Sequence, residues 1–91
     1  LVNYDDAIAQ FNFALEFYPR MNGAYFGIGL AHLRAGQAAE AIAAYQQGLA
    51  LTNSRNELDD TIEELEKLYT EQPELQGIVE TLNLVKNWKR G

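Results

Sequence analysis

Apolar residues recur at steps of three and four along almost the whole chain. Tyr4, Ala7, Ile8, Phe11, Ala14 and Leu15 form one stripe, and Tyr25, Ile28, Gly29 and His32 a second. Ala41, Ile42, Tyr45, Gly48 and Leu49 form a third; Leu58, Ile62, Leu65 and Tyr69 follow, then Leu75, Val79 (or Ile78), Leu82 and Val85. This spacing places apolar groups on one face of a helix, and nowhere is there the sustained period-two alternation of a half-buried strand. Twelve alanines, with few Val, Ile or Thr, push local propensity the same way. Boundary signals divide the pattern. Asn3 precedes Asp5 and Asp6 as a cap before first-turn acids. Residues 18–22 form a break around Pro19 with a new cap at Asn22, and Ala35-Gly36 reads as a helix stop. Ser54 with Glu57 has the form of a capping box, and Pro73 suits a first helical position. The spacing predicts five helices, at about 4–17, 23–35, 38–51, 55–70 and 74–89.

Shifting the chain by 34 residues lays Asp6-Ala7-Ile8-Ala9-Gln10-Phe11 over Glu40-Ala41-Ile42-Ala43-Ala44-Tyr45, and Ala14-Leu15 over Gly48-Leu49. Small residues at both copies let helix backbones approach, and Phe11 and Tyr45 fill the space between them. At these residues the chain resembles a tetratricopeptide repeat, a helix–turn–helix unit of 34 residues. Residues 22–55 fit one complete repeat: Tyr25 as the first aromatic, Ile28-Gly29 for Leu-Gly, His32 for the usual Tyr, then Ala41, Tyr45 and Gly48 on the second helix. Asn53 stands where the family has Pro. Residues 1–21, with Tyr4, Ala7, Phe11, Ala14 and Pro19, fit the second helix of a truncated preceding repeat.

Residues 56–91 depart from the pattern. Asp59, Glu63 and Glu66 replace its aromatic, Gly and Tyr, and Leu75 and Leu82 replace the small pair. This segment is expected to be a degenerate repeat or a capping hairpin that closes the last apolar face. The resemblance thus implies a single all-α domain over 1–91: antiparallel helix pairs stacked as a right-handed superhelix, ending in a divergent hairpin. Because Leu1 is not Met and the first repeat lacks its first helix, the chain is expected to be the C-terminal piece of a longer array.

Composition narrows the function. In 91 residues, 7 Lys and Arg against 13 Asp and Glu give a net charge of −6, which argues against nucleic acid as partner. With no Cys there is no disulfide or thiolate metal site. No apolar run nears the ~18 residues of a membrane span, and no signal peptide is visible, so a cytoplasmic location and no membrane insertion are expected.

Candidate chemistry is sparse. His32 is the lone histidine and reads as an inter-helix packing residue. The acidic run Glu57, Asp59, Asp60, Glu63, Glu64 and Glu66 flanks an apolar stripe, so its carboxylates form wet helix sides, with Glu63 and Lys67 spaced for a helical pair. Gly23, Gly27 and Gly29 lie within a helix and lack the Lys of a phosphate loop. Lys86, Lys89 and Arg90 suit the negative end of the last helix, and Trp88 packs on the preceding helix or serves as an exposed contact. No nucleophile–base pair is present. The chain is expected to be no enzyme, with no catalytic residue, metal or cofactor.

One face remains. Phe26, Leu30 and Leu33 are offset from the Tyr25-Ile28-His32 stripe. In arrays of this family first helices line a concave surface, so the resemblance implies a groove of Phe26, Leu30, Leu33 and Arg34. Asp60, Glu64 and Lys67 stand at the equivalent places on the next first helix. The family's carboxylate-clamp subclass needs Lys, Arg and Asn there, so binding of acidic chaperone tails is disfavoured. The expected function is a protein–protein scaffold or adaptor that docks a peptide or helix, with an apolar anchor on Phe26 and Leu30 and a basic side chain facing the acids of 57–66. In the bland alternative Phe26 and Leu30 are merely covered by a neighbouring repeat. The other classes are a self-association module and a regulatory appendage of a larger enzyme. For the isolated chain, the helix at 4–17, apolar around most of its circumference, is expected to cover Phe13 and Phe17 with a second copy, as a homodimer, or with another molecule.

Overall fold

A computed structural model describes residues 3–90, and the described residues form five α-helices and one short 3₁₀ turn. The helices are α1 (Tyr4–Phe17), α2 (Asn22–Arg34), α3 (Ala38–Ala50), α4 (Asp59–Glu71) and α5 (Ile78–Lys86), with the 3₁₀ turn at Arg55–Leu58. The all-α architecture expected from the apolar spacing is what the chain adopts. Among the described residues no helix is long and apolar enough to cross a membrane.

Several ends form as their residues dictate. The Asn3 side chain accepts a hydrogen bond from the Asp6 N–H at 3.2 Å. Gly36, with φ of +79°, ends α2: its N–H donates to the Leu33 carbonyl and the Gln37 N–H to the His32 carbonyl. These are the paired bonds of a Schellman motif, whose left-handed residue carries no Cβ penalty when it is glycine.

Three expected boundaries are corrected. Asn22 is not a cap; α2 starts at Asn22, and its side chain reaches Thr52 and Glu57 instead. The helix expected at 55–70 begins as the 3₁₀ turn, held by the Ser54/Glu57 capping box, before α4 takes over at Asp59. The last helix starts at Ile78, not 74, because Gly77 adopts φ of +85°, outside helical geometry, where a Cβ would also press on Ala38. Pro73 therefore lies in the connection.

α2 is the centre of the first half. It packs against α1 on one side and α3 on the other, so Ala24, Phe26, Ile28, Ala31 and Leu33 are all buried. Close approach depends on missing side chains. The Phe11 ring lies where a Cβ on Gly27 would sit. Tyr45 ring carbons lie 2.5 Å from an ideal Cβ on Gly29, and Phe26 lies 2.5 Å from one on Gly48. Phe26 and Tyr45 also stack, with centroids 5.7 Å apart.

The second half packs α5 against α4 and α3 through aliphatic side chains: Leu58, Leu65, Leu68, Ile78 and Val85 are buried with Leu33 and Leu49. The stripe on α4 is rotated from the expected one. Thr61 and Leu68 are buried where the spacing points to Ile62 and Tyr69, and Tyr69 is exposed. On α5, Thr81 is fully buried and its hydroxyl has no partner among the described residues. Polar clips close this half. Arg55 donates to the carbonyls of Lys86 and Trp88 at 2.6 and 3.1 Å, satisfying the open end of α5. The Trp88 indole N–H donates to the Leu49 carbonyl at 3.1 Å, so Trp88 is half-buried against α3.

Candidate functional site

A groove of about 290 Å³ opens between α2 and α4, with Phe11 of α1 at one edge. Helical spacing builds both walls. Asn22, Phe26 and Leu30 follow one another at single-turn intervals on α2; Glu57, Asp60 and Glu64 do so from the 3₁₀ turn into α4, and all six line the groove. The Tyr45 ring supplies part of the floor, and its phenol is pushed well above the ordinary tyrosine range by burial, with Glu64 acting in the same direction and Arg34 against it. Tyr45 therefore presents an uncharged hydroxyl.

Glu57 organises one end. Its carboxylate accepts from the Asn22 side-chain amide at 2.9 Å, the Asn53 N–H at 3.1 Å and the Ser54 N–H at 3.0 Å. Partial desolvation raises its pKa, but these hydrogen bonds to the charged form outweigh it and hold the carboxyl below its ordinary range. The network ties the start of α2 to the turn before α4 and so fixes the spacing of the two walls.

Of the residues expected to form a groove, the structure brings together Phe26, Leu30, Asp60 and Glu64. Phe26 contributes to the wall although it is only 6% exposed, since most of its ring lies against Gly48 and Tyr45. Leu33 is a correction: it is fully buried, facing Gly77 and the aliphatic core, because α2 is covered on both sides. Arg34 does not line the groove, and Lys67 lines a neighbouring shallow cleft with Asp60, Glu63 and Glu64. Glu63 and Lys67 form no ion pair; among the described residues the ion pair is Lys86 with Glu66 at 3.2 Å. His32 hydrogen-bonds Gln37 at 2.7 Å across the α2–α3 turn. Among the described residues no group of three His, Asp or Glu side chains converges to hold a metal.

Sequence reasoning missed Asn22, Phe11 and Tyr45 as groove residues. The signal for Asn22 was present, one turn before Phe26. Phe11 and Tyr45 read from the sequence only as packing rings, and their edges reach the groove because the glycine notches draw them inward. Away from the groove, Phe13 and Phe17 pack on each other with centroids 5.2 Å apart and are 61% and 64% exposed in the single chain. Tyr18 and Met21 extend this apolar surface.

Comparison with known proteins agrees with the helical pattern. Residues 3–56 match the family model described as tetratricopeptide repeat. An Hsp70-Hsp90 organizing protein from Triticum aestivum is 37% identical over 70 residues, covering 77% of this chain and 12% of that protein. The chain thus spans a small part of that relative's length. No solved structure matches the chain.

Proposed function

The chain belongs to the tetratricopeptide repeat family, and from that premise we propose that it is a non-enzymatic protein-interaction module that docks a peptide or helix of a partner between α2 and α4. The observation that carries this reading is the groove itself. Leu30, with the small exposed edge of the Phe26 ring, offers apolar surface to an anchor, and the wall opposite is polar and charged. Affinity in such a site comes from a few buried apolar contacts, with rim charge steering association. In this reading residues 22–55 are the complete repeat, 1–21 the second helix of the preceding one, and 56–91 the divergent hairpin that closes the stack. The wheat relative is by its name an organizing protein for Hsp70 and Hsp90; what carries over to this chain is the coarser role of holding a partner protein. Acidic chaperone tails are disfavoured, because Asp60 and Glu64 stand in the groove and among the described residues no Lys or Arg lines it.

Affinity capture from native extract tests the reading, with wild type compared to Leu30→Asp. Leu30 is half-buried at the groove, so the variant should keep its helical circular dichroism and lose the partners that wild type retains. Identical capture by both proteins would remove the groove from the function. A second reading, self-association, rests on the exposed Phe13 and Phe17. Sedimentation equilibrium across a concentration series should then show a dimer that Phe13→Glu and Phe17→Glu weaken; a monomer throughout would eliminate it.

A further inference from the structure

The two walls of the groove carry opposite chemistry at equivalent places. Phe26 and Leu30 stand one turn apart on α2, and Asp60 and Glu64 stand one turn apart on α4. The pairs are offset by 34 residues, the internal repeat, so each apolar group on one wall has a carboxylate as its counterpart on the other. All four line one groove, and among the described residues no Lys or Arg lines it; Lys67 shares only the neighbouring shallow cleft with Asp60 and Glu64. Among the described residues neither Asp60 nor Glu64 has an ion-pair partner. Glu57, the third carboxylate, is already engaged by Asn22, Asn53 and Ser54.

This combination selects an occupant. A purely apolar segment seated on Phe26 and Leu30 would cover two carboxylates without compensating them, and an acidic segment would add like-charge repulsion. Arg and Lys have apolar stems and cationic heads, so one side chain can lie along an apolar wall and place its charge on an acidic one. Residues one turn apart on a helix lie about 5–6 Å apart at Cβ, within reach of the several donors of one guanidinium. A volume of about 290 Å³ accommodates side chains projecting from a segment laid across the groove.

We infer that the groove reads a basic residue: its occupant is a partner segment with an Arg or Lys beside an apolar residue, the apolar group on Phe26 and Leu30 and the cation between Asp60 and Glu64. The inference rests on the docking reading above and adds the chemistry of the partner. The chain's net charge of −6 favours encounter with such a segment.

Selection of short random peptides against the full chain tests it. Selected sequences are synthesised, and binding is measured by fluorescence polarisation to wild type, Glu64→Lys, Leu30→Asp and the control Glu74→Lys, which lies in the connection before α5. The expected result is a shared Arg or Lys next to an apolar residue. Binding should fall about tenfold or more with Glu64→Lys, weaken as salt is raised, and stay unchanged with Glu74→Lys. Replacing the peptide's basic residue by Glu should restore binding to Glu64→Lys. Circular dichroism of each variant verifies folding; Glu64→Gln replaces Glu64→Lys if the latter melts early, and should then show the same loss to a smaller degree. Peptides that require Leu30 yet carry no basic residue, or that are indifferent to Glu64, would overturn this inference and leave the docking reading standing. A selection with no Leu30-dependent peptide would overturn both.

Discussion

Between α1 and α3, rings fill notches: Phe11 at Gly27, Tyr45 at Gly29, Phe26 at Gly48. Helices α4 and α5 contain no glycine and offer no such notch. Leu58, Leu65, Leu68, Ile78 and Val85 interdigitate instead, and Arg55 and Trp88 clip the last helix in place by donating to backbone carbonyls. The first arrangement encodes its register in absent atoms, since each ring seats only where a Cβ is missing. The second depends on aliphatic bulk, which many side chains can supply, so its register has to come from a few directional hydrogen bonds. Both walls of the groove come from this contrast, one from each half.

Removing bulk from the second half should produce the largest effect. Leu65 is fully buried, and Leu65→Ala should cost about 2–5 kcal/mol, much of the stability of a domain this small. Denaturant melts measure it; a loss under about 1 kcal/mol would show that the aliphatic layer is loosely packed. In the first half the same contrast is probed by adding an atom. Gly29→Ala improves helix propensity by about 1 kcal/mol, yet its Cβ would meet the Tyr45 ring at 2.5 Å, so net destabilisation of about 1–3 kcal/mol is expected. Gly23→Ala is the control: nothing lies within 4 Å of its added Cβ, so it should stabilise by up to about 1 kcal/mol. If both alanines shift the melting temperature in the same direction, the notch does not set the packing.

The buried Thr81 hydroxyl, without a partner among the described residues, is a defect in the aliphatic half. Thr81→Val keeps the shape and removes an unpaired buried polar atom, so a gain of about 1 kcal/mol is expected, read as a rise in melting temperature. The smallest effect concerns the tie between the halves. The folded-state pKa of Glu57 is lowered, so its contribution to stability is present above the ordinary carboxylate range and is lost as pH falls through the folded value. The gap in melting temperature between wild type and Glu57→Gln should therefore be widest near neutral pH and close on acidification. A gap independent of pH would show that the charge plays no part.

Legibility followed the same division. The 34-residue self-match marked α1 and α3 as equivalent helices, because a glycine or alanine at a fixed place is visible as a letter. Asn3, Ala35-Gly36 and Ser54/Glu57 announced helix ends through local hydrogen bonding, which needs no distant partner. The second half was less legible. On α4, Ile62 with Leu65 and Leu65 with Leu68 both satisfy a helical stripe, so the buried face was ambiguous until α5 packed on it. Gly77 ended the final connection later than Pro73 suggested, because its positive φ goes with a close contact to Ala38 and Leu33.

The placing of Phe26 and Leu30 opposite Asp60 and Glu64 was an expectation drawn from the family resemblance, in which first helices line one surface and the 34-residue offset sets equivalent places on neighbouring helices. The burial of Leu33, the seating of Trp88 on α3 and the capture of Asn22 by Glu57 had no such source. Each depends on residues far away along the chain, and local periodicity carries no information about which distant surface a helix face will meet.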